Sequence, residues 1–227
     1  MKLEIIKFKM TRYLKGVGIA NITILGLILI SYFFEKDVLE MMTSHDNVVS
    51  LTGSIVRAVF TIFAAVLISR IVISEYKNKT INILFMYPIS RKKILVAKFM
   101  IVVIFTFTSI LFSSLFLNAT LLILNCFVHF IEEPLTQGVL MKNLIDIVVY
   151  SAAFGFLSLI TSFVGMLKKS GSATIVTSVV LVCLLGSGSN GNTLSSIFIV
   201  QIILVILGAG AAYLSIKDVE KVDVINF

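Results

Sequence analysis

Three groups of residues in this sequence could do chemistry at first sight. Gly186-Ser187-Gly188-Ser189-Asn190-Gly191-Asn192-Thr193 spaces its glycines as a phosphate-binding loop does, with Thr193 in the metal-contacting place. Asn192 stands where the β- and γ-phosphates need a lysine, and the loop lies between apolar runs rather than after a strand. The sequence therefore excludes nucleotide hydrolysis by this chain, and any energy from ATP has to come from another polypeptide. Glu132-Glu133 is a carboxylate pair that could activate water, but the only histidines are His45 and His129, far apart in polar segments. Two distant histidines make a poor metal site, so a solvated loop is expected there. Arg57 and Asp146 are opposite charges inside apolar runs. They read either as an ion pair between the second and fourth helices, as the lining of an outer vestibule, or as markers of the membrane interface. No catalytic set, metal site or bound cofactor is expected.

The elements that carry these residues are dictated by composition. The 227 residues are 58% hydrophobic and 14% charged, with two prolines and no tryptophan, at a mean hydropathy of +1.06. Stretches of roughly 20 residues lack any charge, which is what crossing about 30 Å of hydrocarbon requires. A soluble fold lacks the polar surface for this, so the expected class is an all-α integral membrane protein of six transmembrane helices. The expected spans are 16–34, 51–73, 94–124, 144–167, 173–186 and 194–216. The third is longer than a bilayer requires, and the fifth is short. Residues 2–15 carry five positive charges among Ile5, Ile6, Phe8, Met10 and Tyr13, and predict an amphipathic helix lying in the interface. Cys126 and Cys183 read as small buried hydrophobes rather than a disulfide or metal pair.

Charge fixes the orientation. With both termini inside, all but three of the 19 Lys and Arg fall on the cytoplasmic side, leaving Lys36, Arg57 and Lys142 outside. The net charge of +7 sits at the ends of spans and not along a face with interleaved aromatics, so a membrane surface is the expected partner and nucleic acid is not. Ser151 and Gly155, Ser158 and Ser162, and Gly208 and Ala212 are each four apart, the spacing that lets helix backbones approach.

One long charged segment interrupts the apolar pattern, from Ser74 to Lys98. Thr80 can cap a turn beginning at Ile81, and Ile83, Leu84 and Tyr87 then share one helical face. Pro88 ends that helix, and Ser90 starts another as N-cap, with Arg91, Lys92 and Lys93 in its opening turn. The segment reads as a short docking helix, a bend, and the basic foot of a membrane helix. Lys98 and Arg91 to Lys93 count here as positive cytoplasmic anchors, and Arg70 as a residue that snorkels to the headgroups.

The pattern Glu75, Thr80, Pro88-Ile89-Ser90-Arg91 and Ala97-Lys98 resembles the cytoplasmic loop after the second helix of ABC-2 type permeases, the membrane subunits of one class of ABC exporters. The likeness to small bacterial bacitracin- and lantibiotic-resistance permeases extends to length and helix spacing. It implies one transmembrane domain over 1–227, with 74–97 as the coupling loop, in the cell membrane. Glu75, Thr80, Ile83, Leu84, Tyr87, Pro88 and Arg91 would receive the push of a separate ABC ATPase subunit that binds the ATP. A second permease copy or a homologous permease would complete the pathway, and the cargo would be an amphipathic peptide or a hydrophobic antimicrobial compound. Larger members carry a sizeable hairpin between the last two spans, where only Ser187 to Asn192 stands here. An ATP-independent channel or secondary transporter is the alternative, and it would need ionisable groups at the midplane of several spans.

Overall fold

A computed structural model describes residues 10–34, 45–74, 91–128, 137–189, 192–193 and 197–221. They form six helices: α1 (Met10–Phe34), α2 (His45–Ile68), α3 (Arg91–Val128), α4 (Gln137–Leu167), α5 (Gly171–Gly186) and α6 (Phe198–Lys221). Between α5 and α6, β1 (Gly188–Ser189) pairs antiparallel with β2 (Asn192–Thr193). The phosphate-loop spacing thus falls on a two-rung ladder between membrane helices, in an otherwise all-α, multi-pass membrane protein.

Helices are the expected solution because hydrocarbon offers backbone amides no partner outside the segment. Hydroxyls solve the same problem locally. Thr61 Oγ1 donates to Arg57 O at 2.6 Å, Thr106 Oγ1 to Val102 O at 2.7 Å and Ser215 Oγ to Ala211 O at 2.8 Å, each one turn back in its own helix. A polar residue can then stand in a span without an unpaired donor.

Five of the helices are long and apolar enough to cross a membrane. α5 has 16 residues, about 24 Å at 1.5 Å per residue, and falls short of a 30 Å core. α3 has 38 residues, about 57 Å, and overshoots it. Several boundaries differ from the sequence reading. Met10 to Lys15 continue without a break into α1, so this part of the expected interfacial helix forms the first turns of the span helix; residues 2–9 lie outside the described residues. α4 begins at Gln137 instead of near 144, because Gln137-Gly138 looks like loop in sequence but is followed by an unbroken helical run.

α4 is the hub, packing on α6, α3, α2 and α5, while the main contacts of α1 among the described residues are with α2 and α3. Of the apolar stretch of α1 only 11% is buried, against 56% for α2 and for α4. The core divides into two clusters along the bundle. One, toward the basic end, gathers Leu67, Ile68, Ile71, Val72 and Ile73 of α2 with Leu95, Phe99 and Val102 of α3. The other, toward the opposite end, gathers Val56 and Phe60 of α2, Leu117 and Leu121 of α3, and Phe154 and Leu157 of α4. We call these ends inner and outer, following the charge count. Small residues set the closest approaches, as their spacing predicted. A Cβ on Gly208 of α6 would overlap the Phe156 carbonyl of α4, and Ser151, Ser158 and Ser162 are fully buried on α4.

Candidate functional site

Glu75, Thr80, Ile83, Leu84, Tyr87 and Pro88, on which the coupling reading rests, lie outside the described residues, and of Arg91 only its place as the first residue of α3 is described. What the structure does describe is the two roots of that loop. α2 leaves the α-helical pattern at Ser69–Ile73, where a π-turn inserts a residue into the ladder, and Ser74 is the last residue described before the loop. Such turns displace backbone carbonyls from their regular partners. Lys98, two turns into α3, reaches this stretch: its Nζ donates to Ile71 O at 3.1 Å, and the side chain is only 3% exposed.

Lys98 therefore does not snorkel to the headgroups as an anchor. A buried ammonium is costly unless its donors are met, and here one of them ties the end of α2 to the start of α3 across 27 residues of sequence. Arg70, by contrast, is exposed, as a snorkelling residue should be.

The α4–α5 turn seats on the same π-turn. A Cβ on Gly171 would collide with the Ser69 side chain, and one on Gly165 with Thr174 and Ile73, so helices α2, α4 and α5 meet at the inner end with no room for a methyl group. The turn is tight for a stated reason. Lys169 adopts the left-handed region at φ 47°, Ser170 N–H donates to Gly165 O at 3.2 Å and Lys169 N–H to Met166 O at 3.2 Å. That pair of bonds is the Schellman closure of a helix, built here on a lysine where glycine is usual. Aromatic rings attach α1 to this region: Tyr13 meets Phe63 edge-on at 6.1 Å, and Phe63 stacks on Phe105 of α3 at 6.1 Å.

The outer half is built differently. Arg57 lies about 18 Å along α2 from His45 and is 5% exposed. Its guanidinium carbon sits 4.2 Å over the Tyr150 ring and 5.7 Å from the centre of the Phe154 ring, and its Nη1 folds back against Gly53. Asp146, one turn above Tyr150 on α4, adds a favourable field, yet no ion pair joins it to Arg57 among the described residues. Sequence analysis brought Arg57 and Asp146 to neighbouring helices but missed the aromatic shelf between them. Residues 146, 150 and 154 are each four apart on α4, and that spacing was the available signal. Farther out, an apolar cavity of about 180 Å³ opens between α2, α3 and α4, lined by Val48, Leu115, Leu122, Leu144 and Ile147 with Asn118 and Asn143. Cys183 is a free thiol exposed on α5 and not a buried hydrophobe; the Cys126 side chain lies outside what the structure describes.

Residues 1–186 match the family model described as "ABC-2 family transporter protein". An uncharacterized protein of Bacillus subtilis (strain 168), YcbO, is 41% identical over 224 residues, which is 98% of this chain and 98% of that protein. No solved structure matches.

Proposed function

The chain belongs to the ABC-2 family of transporter proteins and is a multi-pass protein of the cell membrane, and from that premise we propose that it is the permease subunit of an ATP-driven exporter. A separate ABC ATPase would bind and hydrolyse the ATP. Glu75, Thr80, Ile83, Leu84, Tyr87, Pro88 and Arg91 would form its receiving surface, and a second permease, identical or homologous, would complete the pathway. Cargo would be an amphipathic peptide or a hydrophobic antimicrobial compound, in keeping with spans walled by Phe, Ile, Leu and Val.

The observation that supports coupling most is the Lys98 Nζ to Ile71 O bond. It joins the helices on either side of the 75–90 segment at the point where α4 and α5 also seat. A push on that segment would reach four helices together rather than bend one. ATP-driven closure of the ATPases would thereby change which side the bundle opens to.

Tyr87→Asp tests the reading. A carboxylate placed in a dry contact with the ATPase costs roughly 2 to 5 kcal/mol when unpaired, while insertion should be normal because position 87 is outside every span. Co-purification of the ATPase and its substrate-stimulated activity should both be lost at normal permease expression. Full binding and stimulation would reduce the segment to a membrane anchor.

A further inference from the structure

Arg57 is the polar group that the coupling scheme leaves unused. A guanidinium carries five N–H donors. Among the described residues Arg57 makes no hydrogen bond; its partners are the faces of Tyr150 and Phe154 and the field of Asp146. Ring faces and a nearby carboxylate offset the loss of water, but they do not use the donors. A fork of this kind fits two oxygens of a phosphate or carboxylate.

The surroundings say what else such a ligand carries. Gly53, beside Nη1, lies one turn below Val49 on α2, and Tyr150 lies just under one turn below Ile147 on α4. Val49 and Ile147 both line the outer apolar cavity, so along the helix axes the residues that hold the guanidinium lie about one turn, roughly 5 Å, inward of two of the cavity's lining residues. Thr52, 1% exposed on the same stretch of α2, has a hydroxyl without a partner among the described residues and could donate to such an oxygen. A cavity of about 180 Å³ is smaller than the 300 Å³ or more of a whole-ligand pocket, and suits one alkyl chain.

The geometry points to a binding site for an anionic single-chain amphiphile, its alkyl chain in the cavity between α2, α3 and α4 and its phosphate or carboxylate oxygens on Arg57. This rests on the export reading, for which the amphiphile is the cargo class. Binding measured without any ATPase nonetheless tests the site alone, whatever Tyr87→Asp does.

The test is equilibrium binding of radiolabelled dodecyl phosphate, and separately of inorganic phosphate, to the 227-residue chain in a maltoside detergent. Dodecyl phosphate should bind saturably and inorganic phosphate far more weakly. Arg57→Gln should weaken dodecyl phosphate by roughly tenfold or more, the range for hydrogen bonds to a charged group. Ala119→Phe, which fills the cavity wall while leaving Arg57 and its rings in place, should weaken dodecyl phosphate too and leave inorganic phosphate unchanged. This second variant carries the test if Arg57→Gln fails to fold. Native affinity in Arg57→Gln, native affinity in Ala119→Phe, or inorganic phosphate binding as tightly as dodecyl phosphate would each overturn the assignment.

Discussion

The inner and outer ends of this bundle solve opposite problems with the same helices. At the inner end α2, α3, α4 and α5 touch through glycines, a π-turn and a buried lysine, and no methyl group could be added at Gly165 or Gly171. At the outer end α2, α3 and α4 part around a cavity, and among the described residues a guanidinium lies on ring faces without a hydrogen bond while hydroxyl and amide oxygens of Thr52 and Asn118 go unpaired. Closely packed interfaces move as units, whereas a loosely filled one can change its spacing at low cost. The difference teaches where a transported molecule would be held and where a push would be received.

The strongest way to break that contrast is to spoil the inner end. Gly165→Leu drives a side chain into Thr174 and Ile73, and overpacking of this kind costs about 1 to 3 kcal/mol or more. We expect a lowered melting temperature and little properly assembled protein by fluorescence-detected size exclusion. The equivalent change at Gly138, where an added Cβ meets no described residue within 4 Å, should leave both measurements at native values.

A smaller effect is expected from Lys98→Met. The variant keeps the stem's apolar packing but removes the charged donor to the Ile71 carbonyl, a loss of about 1.5 to 3 kcal/mol that the removal of a buried charge partly offsets. Melting should drop modestly, and ATPase stimulation should drop more than ATPase binding. Equal loss of both would mean that the lysine shapes the docking surface instead of transmitting from it.

Least of all, Lys169→Gly should stabilise. The left-handed backbone at φ 47° is unfavourable for lysine and free for glycine, a gain of about 0.5 to 1 kcal/mol that thermal melting in detergent can resolve. No gain would mean that the lysine side chain compensates its own backbone.

Much of this architecture was legible in the sequence because the bilayer imposes it. Charge-free runs gave the spans, and the spacing of Gly208 and Ala212 or of Ser158 and Ser162 gave the contacting faces. What escaped depends on three-dimensional burial that sequence spacing does not carry. Lys98 belongs to a basic run that looks like an anchor throughout, and only its burial against the Ile71 carbonyl of the π-turn, invisible in Ser69-Arg70-Ile71-Val72-Ile73, makes it a tie. Gln137-Gly138 carries a loop signature, yet α4 starts there. The likeness to the permease family found the segment from Glu75 to Arg91, while the residues that anchor its two ends emerged from packing.

If the inner end moves as one body and the outer end opens, the two ends respond differently to ATP. Double electron–electron resonance tests this most directly, on the chain reconstituted with the ABC ATPase proposed for it, in a background without Cys126 and the exposed Cys183. One spin-label pair belongs at Val96 and Leu167 of the inner end, and another at Ile55 and Met141 of the outer end, all four being exposed positions. When ATP is added to the trapped complex, the inner distance should stay fixed and the outer distance should shift by several ångströms. An inner pair that shifts while the outer pair stays fixed would contradict the account.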